Sequence, residues 1–232
     1  MSAAYPRGVS RVIAIDGPAG SGKSSVSREV ARQLGTQYLD TGAVYRALTW
    51  AVLQRGVDPA DGGAVLDVAA DVTITSGTDP EHPTIAVDGV DVSASIRGDD
   101  VTAAVSAVSA VPEVRARLVA LQRDRVAAAP DGIVVEGRDI GTVVLPDAPV
   151  KVFLTASPAV RAQRRAAQDE RERDLVRDVQ ETESALLARD AFDSSRSISP
   201  LAAADDAVVL DTSNMDFDQV VARIMDLVGT AR

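Results

Sequence analysis

The 232-residue chain has no cysteine. Disulfides and thiolate metal sites are thereby excluded, and nothing points to an oxidising compartment. Histidine occurs once, at His82 within Asp79-Pro80-Glu81-His82-Pro83. The two prolines mark a loop, and a Ser/His/Asp triad finds no support. No apolar run approaches the ~20 residues that span a bilayer, and residues 1–11 lack a signal-peptide core. Lysine is nearly missing: only Lys23 and Lys151 occur, so 22 of the 24 basic residues are arginine. A compositional bias toward arginine accounts for most of this. Yet one lysine stands where a compact ammonium on a flexible stem is wanted. Positive charge is in deficit overall, with a formal net charge of −10. General nucleic-acid binding needs a basic surface and is disfavoured. An anionic small substrate in a locally basic cleft is compatible with that charge. The expectation is a soluble, cytoplasmic protein, monomeric, with no membrane or nucleic-acid partner.

What is present begins at Gly17-Pro18-Ala19-Gly20-Ser21-Gly22-Lys23-Ser24. This stretch has the spacing of a phosphate loop, G-x-x-x-x-G-K-[ST]. The apolar run Val12–Ile15 precedes it and a helix-like run, Ser25 to Leu34, follows. Glycines let successive N–H groups turn toward an anion, and the helix adds its N-terminal dipole. Lys23 would reach the β- and γ-phosphates of a triphosphate, and the Ser24 hydroxyl would help hold Mg²⁺.

The rest of the chain alternates strand and helix patterns. Strands are expected at 11–16, 36–40, 133–135, 150–154 and 207–211. Helices are expected after each of the first two, from 41 to about 55, and at 217–228. A long, charged helical region is expected from 159 to about 190. Five buried strands alternating with helices imply an α/β fold, a parallel, doubly wound sheet. Residues 57–115 break the pattern. They read as a helix at 61–70, short strands at 72–75, 84–87 and 90–92 with an Asp88-Gly89 hairpin turn, and a helix at 99–111. Pro112 reads as the first residue of a further helix, to about 129. The chain is long enough for one domain with inserted parts.

Three further clusters carry chemistry. Asp40-Thr41-Gly42 with Arg46 joins a strand end to a helix start, a natural anion site; an Asp cap and a solvated arginine fit equally. Glu136-Gly137-Arg138-Asp139 ends a core strand, where an acid could orient Mg²⁺-bound water and an arginine could pair with phosphate. Eight arginines lie between Arg161 and Arg196. Arg161, Arg164 and Arg165 share a helical face, and Arg189, Asp193 and Arg196 follow i, i+4, i+7. The acids between them suit a solvated helix, while the two ends suit a lid closing over phosphates. Trp50 falls in a core pattern with Leu48, Val52 and Leu53.

Together the phosphate loop, Asp40-Thr41-Gly42-Ala43-Val44-Tyr45-Arg46, Glu136-Gly137-Arg138-Asp139-Ile140-Gly141-Thr142-Val143-Val144 and the Arg189–Arg196 segment resemble the bacterial cytidylate kinases. The likeness runs from about Val12 to the C-terminal helix. It implies a P-loop three-layer fold, with core segments 12–56, 116–156 and 198–232. It further implies a mixed monophosphate-binding insertion at 57–115 and a helical lid at 157–197. It implies ATP, held by Gly17, Pro18, Ala19, Gly20, Ser21, Gly22, Lys23, Ser24 and Ser25, with Mg²⁺ at Ser24. CMP or dCMP would be the acceptor. By resemblance Arg46 and Arg138 clamp its phosphate, with Asp40 and Thr41 alongside. Ser106, Arg115 and Asp139 read cytosine, Arg189 and Asp193 meet the sugar, and Arg196 meets phosphate. Arg161, Arg164 and Arg165 are implied lid arginines. Lys23, Arg138, Arg161, Arg165 and Arg196 are the implied catalytic set. Thr41 stands where the family often has serine, and keeps the hydroxyl. The alternatives are a kinase for another monophosphate or hydroxylated metabolite, and a nucleotide-dependent switch. No guanine-reading Asn-Lys-x-Asp segment supports the switch.

Overall fold

The computed structural model describes residues 12–196 and 198–230. The expected N-terminal tail with Arg11, the lid-boundary residue Ser197 and the last two residues lie outside them. Val12–Asp16 forms β1. Its period of two sends Ile13 and Ile15 to one face and Ala14 to the other. Lys23–Leu34 (α1) buries Val26, Val30, Ala31 and Leu34 against that first face. Gln37–Asp40 (β2) runs directly into Thr41–Gln54 (α2), because the Asp40 carboxylate accepts from the Ala43 N–H at 2.9 Å and caps the helix.

Next come Gly62–Asp71 (α3) and three short strands, Ile74–Ser76 (β3), Ile85–Val87 (β4) and Val90–Asp91 (β5). They form a separate antiparallel sheet in the order β3-β4-β5. Asp88 and Gly89 both take positive φ, 50° and 80°, as the expected hairpin turn requires. Asp99–Val108 (α4) stops three residues earlier than its pattern suggests. Val111 precedes Pro112, whose ring forces an extended backbone on it, at φ −70° and ψ 118°. Pro112–Ala127 (α5) follows.

Ile133–Gly137 (β6) leads into a π-helical turn over Ile140–Val144, then Val150–Thr155 (β7). The expected helical region from 159 to about 190 consists of two helices, Pro158–Arg173 (α6) and Val179–Ser194 (α7), packed side by side. Asp174 breaks it in the left-handed region at φ 52°, which a short polar side chain tolerates, and Asp178 caps the second helix. A run rich in charges of both signs does not reveal such a break. Val208–Asp211 (β8) and Phe217–Thr230 (α8) complete the chain.

The main sheet has the order β2-β6-β1-β7-β8, all parallel. Packed on one face are α1 and α8, through Val30, Val220 and Ile224. The other face carries α5 and the π-helical turn, through Val119, Ile140 and Val144. This is a three-layer α/β architecture. A third apolar cluster joins α2 to α3, α4, α5 and the small sheet, with Trp50 packed at its margin. One expectation needs correction. The fifth strand is not buried: Val208 is 37% and Val209 59% exposed. Within the described residues β8 pairs only with β7, at the sheet edge, and an apolar run does not distinguish an edge from a centre.

Candidate active site at the carboxyl edge of the sheet

Asp16, Asp40, Gly137, Thr155 and Asp211 end their strands on the same edge. Ligands of open α/β sheets bind there. The glycine-rich loop turns out from β1 at this edge. A Cβ on Gly17 would fall 2.0 Å from the Leu154 carbonyl oxygen, and one on Gly20 2.7 Å from that of Arg161. Only glycine therefore lets the loop pass between β7 and α6. Gly22 caps α1 without a side-chain bond, leaving first-turn amides for an anion. Lys23 Nζ donates to the Pro18 carbonyl at 2.7 Å and lies 3.5 Å from Ser21 Oγ. Burial pushes the Lys23 ammonium down to about 8; Arg138 adds to this, and Glu136, Asp16 and Asp190 oppose it. Ser24 and Ser25 are exposed on the first turn of α1.

Two buried acids stand beneath the loop. Asp16 accepts the Ile140 and Gly141 N–H groups, both at 2.8 Å, and so locks β1 to the π-helical turn. Burial raises it to about 6 against those two bonds. Sequence reading passed over Asp16, although an acid closing the strand before the loop was the available signal. Glu136 accepts from the Tyr38 hydroxyl. Burial pushes it upward, Asp40 adds to the rise, and Lys23 with the Tyr38 and Ser24 hydroxyls opposes it. Thr41 is buried, and its hydroxyl donates to the Glu136 carbonyl at 2.7 Å. Asp40 and Thr41 thus serve the β2–α2 junction.

Arginines from four elements face this edge. Arg46 on α2 is half-buried and donates to the Ile96 carbonyl at 3.1 Å and Thr102 Oγ1 at 2.9 Å. Arg138, after β6, lies 3.3 Å from Asp190 and 2.9 Å from Asp193. Arg189 on α7 is 4.0 Å from Asp193. These cations crowd one another. Burial, then Arg165 and more weakly Arg97 and Arg138, push Arg46 down to about 10. Burial, then Arg138 and Arg46, push Arg189 to about 9. Such mutual repulsion marks a place that an anion would relieve.

A second polar cluster adjoins it. Arg115 on α5 and Asp139 form a buried ion pair, with the Tyr45 ring 5.2 Å from the guanidinium. Arg115 Nη1 also donates to the Ser109 carbonyl at 3.1 Å. Ser106 is half-buried on α4, and its carbonyl accepts from the Ser109 hydroxyl at 3.2 Å. Ser109 Oγ accepts from Arg196 Nη2 at 2.9 Å, and Arg196 also pairs with Asp193. Ser109 was not singled out from sequence; its place three residues after Ser106, near one helical face, was the signal.

The three arginines expected to share a face of α6 diverge. Arg161 donates to the Ala19 carbonyl at 2.9 Å and pairs with Asp190. Arg164 binds Thr212 Oγ1 and the Thr212 carbonyl, each at 2.8 Å, so it braces the loop against the end of β8. Arg165 pairs with Asp169 at 3.0 Å and adds its charge to the Arg46 cluster. Spacing put them on one face, but their differing reach sent each to another partner.

A family model described as cytidylate kinase matches residues 13–230. A cytidylate kinase of Streptomyces avermitilis is 56% identical over 221 residues, covering 95% of this chain and 94% of the relative. One from Mycobacterium avium is 56% identical over 217 residues, 94% of each chain. A solved structure of an uncharacterised protein from Eubacterium ventriosum matches with a TM-score of 0.52 at 12% identity, over 94% of this chain and 98% of that one, which is a likeness of fold alone. The family match spans the phosphate loop, the turn after β6 and the α6–α7 hairpin alike, and with relatives this similar over nearly the whole chain, the chain belongs to the cytidylate kinase family.

Proposed function

We propose that the protein transfers the γ-phosphoryl group of ATP to CMP or dCMP, giving ADP and CDP or dCDP, by direct in-line displacement. The observation that carries this reading is the crowding of Arg46, Arg138, Arg165 and Arg189 at the edge where the phosphate loop opens. Triphosphate phosphates on the loop and a monophosphate among those arginines bring two phosphates together. The acceptor oxygen is already anionic, so no strong general base is needed. Positioning and charge neutralisation do the rest: Lys23 bridges donor and transferred group, and Arg138, Arg161, Arg165 and Arg196 take up the charge that builds.

Residues 57–115 hold the monophosphate in this reading, and the α6–α7 hairpin within 157–197 closes over it to exclude water. Ser106, Arg115 and Asp139 read the base, and Arg189 and Asp193 meet the sugar. Cytosine offers an amino donor at N4 and an acceptor at N3, whereas uracil reverses both. A carboxylate toward N4 and an arginine toward N3 and O2 reject uracil by leaving buried polar groups unpaired. Mg²⁺ fits the residues present. Among the described residues no three His, Cys, Asp or Glu side chains gather to cage a metal. That suits an ion held by the Ser24 hydroxyl, phosphate oxygens and water. When bound it neutralises phosphate charge, and Glu136 is an acid beside Ser24.

The test is an acceptor panel. With ATP and Mg²⁺, ADP formation is followed with CMP, dCMP, UMP, AMP, TMP and a hydroxylated acid such as shikimate. CMP and dCMP are expected to lead UMP by about 100-fold or more in kcat/KM. Faster turnover of any other acceptor overturns the assignment.

A further inference from the structure

We propose that Asp190 is a positioning residue of the transfer site, a single carboxylate that sets Arg138 and Arg161 against the phosphate loop. The proposal rests on the reading of those two arginines as phosphate contacts. Three groups from three segments converge on Asp190. Its Oδ1 accepts from the Ala19 N–H of the phosphate loop at 3.2 Å and from Arg138 Nη1, beyond β6, at 3.3 Å. Its Oδ2 accepts from Arg161 Nη1 of α6. Arg161 in turn donates to the Ala19 carbonyl, so Ala19 is held through both its N–H and its C=O.

Free guanidinium groups sample many rotamers, and ordering them costs entropy at the moment of reaction. In-line transfer loses rate steeply when a contact shifts by ~1 Å. A carboxylate is the side chain that can oppose this for two guanidiniums at once, because it accepts at two oxygens and donates at none. Arg138 has a second acidic partner in Asp193, at 2.9 Å. Among the described residues Arg161 has only Asp190. The partners of Asp190 all lie on the phosphate side, and the Arg115–Asp139 pair is not among them. Its loss is therefore expected to act on transfer and not on base selection.

The experiment compares wild type, Asp190→Asn and Asp190→Glu for CMP phosphorylation, with kcat and both KM values measured separately. Asp190→Asn keeps the size and one acceptor oxygen but removes the charge. Its kcat is expected to fall about 10- to 100-fold, with KM for ATP and CMP within about threefold. Asp190→Glu is expected to recover part of kcat and to melt near the wild-type temperature, whereas Asp190→Asn leaves the buried Arg161 without its acid and is expected to melt lower while still binding ATP in calorimetry. Unchanged kcat, or a KM effect with kcat intact, overturns the proposal. So does a loss of kcat that tracks a fall in melting temperature in both variants. Tighter ATP binding with unchanged kcat would make Asp190 a competitor of the triphosphate and also overturns it. If wild type itself makes no CDP, the underlying functional reading fails; if wild type is active and Asp190→Asn matches it, only the role of Asp190 fails.

Discussion

Lys23 carries the sharpest single-residue consequence. Its ammonium is pulled down to about 8, first by burial and then by Arg138. A lowered lysine loses its proton as pH rises through that value, so the free protein keeps the cation below about pH 8 and sheds it above. Bound phosphate favours the charged form and pushes the pKa back up. In a pH series from about 6 to about 10, kcat/KM for ATP is expected to fall on the alkaline side of about 8. kcat, which reports the complex, should stay level to higher pH. A kcat/KM that holds steady to the end of the series would show that Lys23 is not the titrating group. Legibility from sequence was good at this residue because a phosphate loop is local: its geometry is set by its own glycines and adjoining elements. It was poor at Asp16, Ser109 and Asp190, whose partners lie 124, 87 and 171 positions away.

The α6–α7 hairpin shows how an element can be legible in kind and not in form. Its charges announced a solvated helix, and its two solvent-facing stretches bear this out. The break at Asp174 is backed by one buried acid on α6. Asp169 is 2% exposed and joins Arg165 at 3.0 Å, Arg173 at 3.7 Å and Arg177 at 2.7 Å. Arg173 and Arg177 also reach Asp99 on α4. Removing this acid takes charge-assisted hydrogen bonds from part-exposed arginines, at a cost of about 1.5–3 kcal/mol. Asp169→Asn is therefore expected to loosen the hairpin while leaving the main sheet intact. Hydrogen exchange would report faster amides at the C-terminal end of α6 and the N-terminal end of α7, with β1 and β6 unchanged. Uniform protection across the molecule would refute the part given to Asp169.

On the scale of the whole molecule, the phosphate loop and the Arg115–Asp139 cluster draw on partly different supports. The loop rests on the five-stranded sheet, through Gly17 against β7. The Arg115–Asp139 pair takes its arginine from α5, packed on the cluster that α2 shares with the small sheet, and its acid from the turn after β6. Damage to one should leave the other largely working. Arg115→Met is expected to cut kcat/KM for CMP by about 100-fold, shrink discrimination against UMP, and leave the ATP Kd within about twofold. It strands a buried Asp139, so the melting temperature should fall as well, and retained ATP binding by calorimetry shows that the fold survives. An equal loss of CMP use and ATP binding would mean that the two clusters are one unit.

What the sequence determined unaided was the order of most elements, the doubly wound α/β class and the phosphate loop. Periodicity, turn residues and glycine spacing act within a few neighbours of each residue. What only the tertiary structure decided was convergence. Parallel strands bring Asp16, Arg138 and the loop to one edge, and the returning hairpin delivers Asp190 and Asp193 to it. Edge placement of β8, the splaying of Arg161, Arg164 and Arg165, and the engagement of Thr41 with Glu136 belong to that level too. Each depends on which buried polar group finds a partner across the fold. That pairing is settled by the shared cost of leaving any of them unsatisfied, and no local pattern encodes it.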